Sequence, residues 1–448
     1  MDINPMRIKQ GIIFNIILLL AALLPRLALF VAMPPLPEKI LTPLNDSTDY
    51  DFLAQEILKG RYCAPSGEPT AFRPPLYPAF LAVIYFFAGT QNLKAVAIAQ
   101  VFLGVLNAFL CLWTTRQMTG SRLAARLAAL GAALYPAFIL QAVQILSEDF
   151  SRMLFLASLY FLFGGIESKK PRLIYLSGIF FGLSVLNKSV FLGALPFIIV
   201  WVYCYWNGLR REKFKIALIY FTCPILLFVG AWTIRNAAIS GGKFIPVSTN
   251  YPITFAHGVT RFSYYANLWY GRERLMPVPD NYQELTQMRF YRGVREELEI
   301  GNNYAYQARR FMRDNKRFMV VLTIRKAIHF WSPFIRNTRW AEAAAFLSMA
   351  PVLLLGWIGI IRGFIIKDNR MRKYSILALM AALPVTLPYA LSQPDVRYRV
   401  GTIEIILLMF AGWALYGIIQ RFHLQRVSAS SGQGLPANHG GSGRIAKA

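Results

Sequence analysis

Residues 45–88 read NDSTDYDFLAQEILKGRYCAPSGEPTAFRPPLYPAFLAVIYFFA, and this stretch decides what kind of molecule the chain is. Asp46, Asp49 and Asp51 stand in or beside the first turn of an amphipathic helix. Tyr50, Leu53, Ala54, Ile57 and Leu58 recur there at helical spacing, and Gly60 supplies the stop. A second, apolar helix opens on Pro74 and Pro75. Neither is long enough to cross a bilayer, which takes about 20 apolar residues. The stretch directly follows the first long apolar run, Gly11 to Met33. Acids are thus held on interfacial helices at a membrane surface, and chemistry is expected there.

Composition places most of the chain in lipid. Hydrophobic residues make up 56% and charged residues 16%, where a soluble chain carries roughly 25% charged. Gly11 to Met33 is too long for the apolar region of a signal peptide and has no small-residue cleavage site, so it reads as a retained first span. Ten spans are expected, at about 11–32, 93–116, 122–145, 149–166, 172–187, 189–206, 214–232, 342–362, 373–391 and 400–420. The net charge of +26 does not indicate nucleic acid. Lys and Arg are dispersed between apolar runs and no basic-aromatic module is present.

Basic clusters at Arg7/Lys9, Arg116–Arg126, Lys169–Arg172, Arg210–Lys215, Arg362–Lys373 and Arg421/Arg426 all fall on the cytoplasmic side only if 74–89 does not cross. The opposite face then carries a first outer loop at 34–92, a domain-sized polar segment at 233–341, and 392–399. The division expected is a catalytic module at 1–232, an outward domain at 233–341, C-terminal spans at 342–420 and a disordered cytoplasmic tail at 421–448. Within the outward domain, Phe318 to Phe330 reads as a helix lying on the membrane, with Arg325 and Lys326 reaching headgroups. Cys63, Cys111, Cys204 and Cys223 do not form a disulfide framework, and the four histidines have no zinc-ligand spacing.

Six ordered blocks carry a resemblance. They are D-x-x-x-Y…L-A…L-x-G-x-Y at Asp46 to Tyr62, R-P-P-L-Y-P at Arg73 to Pro78 and S-E-D at Ser147 to Asp149. Then come G-L-S-V-L-N-K at Gly182 to Lys188, W-T-I-R-N…F-I-P-V-S-T-N at Trp232 to Asn250, and R-Y-R at Arg397 to Arg399. In this order the chain resembles the GT-C integral membrane glycosyltransferases, in the branch of glycosyltransferase family 39, the protein O-mannosyltransferases and the lipid A aminoarabinose transferase. The resemblance covers about residues 8–420. One departure is that relatives usually carry Thr-Arg-Pro where this chain has Asn187-Lys188-Ser189.

The resemblance implies an all-α polytopic membrane fold and a hexosyl- or pentosyltransferase. It implies a sugar donor linked to polyprenyl phosphate and an acceptor hydroxyl on a glycolipid, cell-wall polymer or protein, reached on the non-cytoplasmic side of a bacterial inner membrane. It also implies inversion at the anomeric carbon and a catalytic acid in the first outer loop, where Asp46 matches. The residues agree, because inverting transfer needs a carboxylate to accept the acceptor's proton and cations to stabilise the departing phosphate.

Asp46 is the candidate base and Glu148 the second acid, for the sugar, the acceptor or a divalent cation shared with Asp46. An N-cap at Asp46 and a first-turn acid at Glu148 are the structural alternatives. Asp49 is held in reserve, and Asp49 and Asp51 otherwise read as solvated first-turn acids. Arg73, Lys188, Arg235, Arg397 and Arg399 are candidate phosphate ligands, each alternatively a headgroup snorkeller; Arg26 is a further one. Tyr62, Tyr77, Trp232 and Tyr398 are candidate site aromatics. The rival function is a transporter or flippase of lipid-linked sugars, disfavoured because the acids gather at one surface and no internal repeat is visible.

Overall fold

The computed structural model describes residues 5–32, 45–260, 275–277, 292–333, 339–366 and 368–431. It contains helices α1 (Pro5–Ala32), α2 (Asn45–Leu58), α3 (Leu76–Ala88), α4 (Leu93–Thr119), α5 (Arg122–Leu134), α6 (Pro136–Gln141), α7 (Glu148–Ser168), α8 (Pro171–Asn187) and α9 (Phe191–Tyr205). Then follow α10 (Arg210–Ile239), α11 (Asn250–His257), α12 (Val294–Asp314), α13 (Lys316–Phe330), α14 (Arg339–Ile365), α15 (Asn369–Leu391), α16 (Val396–Val400) and α17 (Glu404–Ser431). Among the described residues the only β pairing is two isolated bridges, Cys63 with Pro69 and Thr260 with Met276.

Seven helices, α1, α4, α7, α10, α14, α15 and α17, are long and apolar enough to cross a membrane, so the chain is an integral, multi-pass membrane protein. Helices α3, α8 and α9 are apolar but shorter. The span expected at 122–145 is broken. A residue before proline is pushed out of the α region, and Tyr135, before Pro136, takes φ −68° and ψ 115°. The chain turns there, runs through the 6-residue α6 and turns again before α7. That second turn presents Ser147 and Glu148 at a helix start.

Helix α17 lies at the centre, with every residue from Ile405 to Ala411 buried, flanked by α14 and α5. Small residues allow this, as in membrane bundles generally. The buried stripe of α5 is all alanine, and a Cβ on Gly412 would stand 2.6 Å from the Ala124 carbonyl oxygen. Helix α8 meets α10 in the same way, where a Cβ on Gly178 would stand 2.3 Å from the Phe221 carbonyl oxygen. Phe221 lies in a π-helical turn of α10, Ile216–Thr222, directly before Pro224. On α1, Ile12, Ile13, Ile16 and Ile17 are exposed while Leu18 and Ala22 pack against α4 and α5, which is the pattern of a lipid-facing helix.

Helices α2 and α3 pair through Tyr50, Ala54, Tyr77, Leu81 and Tyr85, with Tyr50 and Tyr77 edge to face at 4.9 Å. Helices α11, α12 and α13 share a small core of their own, including Ala256, Tyr304, Ala308, Met319 and Leu322. The helix expected at 318–330 is present as α13, but Lys326 does not reach headgroups. It is fully buried and donates hydrogen bonds to the carbonyl oxygens of Gly258 and Ser392, the C-caps of α11 and α15. Burial pushes its ammonium down to about 7. Helix α17 continues to Ser431, and the rest of the expected tail, 432–448, lies outside the described residues.

Candidate active site

The first turn of α2 delivers two carboxylates to one point. Arg73 Nη2 lies 2.8 Å from Asp46 Oδ1 and 2.7 Å from Asp49 Oδ2, and its Nε lies 2.9 Å from the latter. Arg73 stands at the end of the loop between α2 and α3, which is tied back on itself. Tyr62 donates from its hydroxyl to the Arg73 carbonyl at 2.8 Å. Arg235 donates to the carbonyls of Thr70 and Tyr62 at 2.6 and 2.9 Å, with its guanidinium over Trp232.

Helices distant in sequence supply the rest. Helix α16, capped by Asp395, brings Arg397 Nη2 to 2.8 Å from Asp46 Oδ2 and Nε to 3.8 Å from Glu148 Oε1. Lys188, following α8, reaches Glu148 Oε1 at 3.0 Å. The side chains form one alternating chain of charge, Asp49, Arg73, Asp46, Arg397, Glu148, Lys188. Three carboxylates and three cations therefore balance. Three buried atoms in it, Glu148 Oε2 and the Nε and Nη1 of Arg397, have no hydrogen-bond partner among the described residues.

This chain of charge borders a cavity of about 520 Å³. Asp46, Arg73, Glu148 and Lys188 line one wall, and Leu146, Val190, Leu192 and Pro388 make an apolar one. Ser248, Asn250 and Thr254 edge it beside α11. Tyr389 and Tyr398, stacked at 4.4 Å and 7°, offer flat faces, with Lys188 over the Tyr398 ring. Burial pushes the Asp46 carboxyl up, but the Arg73 and Arg397 guanidiniums outweigh it and hold Asp46 well below the usual carboxylate range. Burial lowers Arg73, and Asp46 and Asp49 overcome that to raise it.

Of the residues singled out in the sequence, the fold brings Asp46, Glu148, Arg73, Lys188, Arg397 and Tyr398 together. Three candidate binding residues lie elsewhere, as do the aromatics Tyr62 and Trp232, which pack against Arg235 outside the cavity. Tyr77 is a core side chain, fully buried and donating to Gln100 Oε1 at 2.6 Å. Arg235 holds backbone carbonyls, as above. Arg399 is fully buried, with its Nε 3.2 Å from Glu404 Oε2, its Nη1 donating to the Phe330 and Ser332 carbonyls and its Nη2 directed at the Met349 sulfur. None of the three borders the cavity. Arg26 is no snorkeller: it is buried and donates to the carbonyls of Ala22 and Ala133.

Asp49 and Asp51 are not solvated first-turn acids but buried ones. Asp49 completes the Arg73 site, and Asp51 accepts from Tyr85, Gln91 and Gln55. Two further tyrosines line the cavity: Tyr50, which closes the D-x-x-x-Y block but reads in the sequence as an apolar-face residue, and Tyr389, which nothing local marks. Among the described residues no three His, Cys, Asp or Glu side chains are grouped to hold a metal. Asp46 and Glu148 are instead bridged by the Arg397 guanidinium.

A bundle of apolar helices with a carboxylate-guanidinium site at one end, fed by a loop of short helices, defines an architecture of the GT-C type. Residues 72–234 match the family described as Dolichyl-phosphate-mannose-protein mannosyltransferase, just over a third of the chain. The oligosaccharyltransferase of Archaeoglobus fulgidus in its apo form has a similar fold, at TM-score 0.57 and 14% identity over 93% of this chain and 52% of that one. The same archaeal enzyme in complex with an inhibitory peptide and a dolichol-phosphate gives 0.57 and 13% over 98% and 53%. ArnT from Cupriavidus metallidurans bound to undecaprenyl phosphate matches more loosely, at 0.40 and 13% over 90% and 78%. The chain spans about half the length of the oligosaccharyltransferase. No curated protein matches it by sequence. The fold is that of the GT-C glycosyltransferases, and the resemblance carried by the sequence blocks holds.

Proposed function

We propose that the protein is a membrane glycosyltransferase that moves a sugar from a polyprenyl-phosphate donor to an acceptor hydroxyl, with inversion, at the non-cytoplasmic face of a bacterial inner membrane. The observation that carries this reading is Asp46, set at the cavity wall with one oxygen on Arg73 and the other on Arg397. The polyprenyl chain lies against the apolar wall, and the phosphate takes Arg73, Arg397 and Lys188. By competing for the guanidiniums, the phosphate frees an Asp46 oxygen, whose basicity rises as its cations are shared. Asp46 then accepts the proton of the acceptor hydroxyl as the acceptor's own oxygen attacks the anomeric carbon. The sugar–phosphate bond breaks and its electron pair leaves on the lipid phosphate, among cations already in place. Glu148 Oε2, unpartnered, is available to a sugar or acceptor hydroxyl. A glycolipid, a cell-wall polymer or a protein all supply such a hydroxyl.

The test is transfer from labelled polyprenyl-phosphate sugars, in proteoliposomes supplied with a cell-envelope extract. Wild-type protein is expected to form a labelled product, and Asp46→Asn to lose about a hundredfold or more of the rate. An unchanged rate in Asp46→Asn overturns the assignment. Movement of label across the vesicle with its bond to the lipid intact would identify a transporter instead.

A further inference from the structure

Behind the loop that delivers Arg73 lies a buried acid the reaction does not use. Glu297, on α12, is 1% exposed and more than two hundred positions from the loop it touches. Its Oε1 accepts from the Thr70 hydroxyl, and its Oε2 from the Ala71 amide at 3.3 Å and the Thr249 hydroxyl at 2.6 Å. The Thr249 amide donates to the Ala71 carbonyl at 2.9 Å, and the Val294 amide to the Pro69 carbonyl at 3.0 Å. Apolar contacts close the seam, since Ala71, Ile245 and Val294 pack together, as do Leu53, Phe72 and Ile253. The start of α12 comes this close because Gly293 takes φ +126°, where a Cβ would stand 2.7 Å from the Glu68 side chain.

We infer that Glu297 is a positioning residue, a clamp by which α12 fixes residues 68–73 and so sets where the Arg73 guanidinium meets the donor phosphate. The inference rests on the donor reading above. A buried carboxylate must be satisfied by donors, and all three donors found here come from the two segments that edge the site. Burial pushes the Glu297 carboxyl up against those hydrogen bonds, so a neutral acid or an amide also fits the pocket. The segment between α10 and α14 is thereby part of the reaction centre and no mere appendage.

The experiment uses the full chain in lipid nanodiscs with undecaprenyl phosphate as the probe. Glu297→Ala is expected to weaken binding about tenfold, and Glu297→Gln to retain most of it. In an Arg73→Ala background Glu297→Ala is expected to cost nothing further, because the effect passes through Arg73. Amide exchange at 68–73 is expected to rise in Glu297→Ala while α7 and α17 keep their protection. Wild-type affinity in Glu297→Ala, or a full additional loss on top of Arg73→Ala, overturns the inference. Should wild-type protein not bind the lipid, the donor reading fails. Exchange at 68–73 then decides the clamp alone, and an unchanged rate overturns it.

Discussion

Asp46 is held by two guanidiniums, and that sets its behaviour with pH. With its carboxyl well below the usual range, Asp46 stays ionised through mild acid. A depressed acid contributes stability above its unfolded value, near pH 4, that is lost as pH falls through the folded value. The acid limb of kcat/KM in the wild type is accordingly expected below pH 4. Arg397→Gln removes one of the two cations, and the limb should climb by about one pH unit. A limb that stays in place would show that Arg397 does not govern this carboxylate. Such detail was only partly legible in the sequence. The D-x-x-x-Y block marked Asp46, and its order with R-P-P-L-Y-P marked Arg73. Asp49 and Asp51 carry no local sign of burial, because a helix's first turn favours acids whether or not they are exposed. Their partners, Arg73 and Tyr85, lie 24 and 34 residues away. Arg399 misled for the same reason: Glu404 and the end of α13 claim it.

At the scale of elements, periodicity placed the helices well and their ends less so. Apolar runs predicted α1, α4, α7 and the rest because lipid allows few polar residues in a span. The break at Tyr135 follows from Pro136, a signal the length of the 122–145 run concealed. Helix contacts were the hidden part, since closeness depends on which glycine faces which backbone. Gly178→Ala would force α8 away from the π-helical turn of α10. It is expected to destabilise the protein by about 1–3 kcal/mol, read as an earlier thermal transition in detergent. An unmoved transition would mean that the two helices have room to spare. Lys326 belongs with these concealed features, because a lysine in an amphipathic helix reads as surface until two helix ends converge on it.

Across the whole molecule, charge is sorted by end. Helix α7 carries Glu148 at one terminus and Glu167 near the other, roughly 30 Å apart. Glu148 meets Lys188 and Arg397, whereas Glu167 meets Lys373 and Arg370, and Arg370 also donates to the Gln117 carbonyl at the end of α4. The basic clusters at the ends of α4, α7 and α9 and the start of α15 therefore share the end opposite the cavity. In the segment expected to face outward, Arg309 and Arg310 are exposed on α12. In a background without native cysteines, Ser66→Cys should react with an impermeant maleimide on intact cells, and Arg211→Cys only after the membrane is opened. The reverse pattern would put the cavity on the cytoplasmic side.

The alternating row of charge also bears on how such a catalyst would empty itself. Each cation in it already has a tethered carboxylate that any incoming anion must outcompete. Under the proposed function, a spent carrier phosphate on Arg73, Arg397 and Lys188 would be displaced as Asp46, Asp49 and Glu148 re-form their pairs, and a stray inorganic anion would be displaced in the same way.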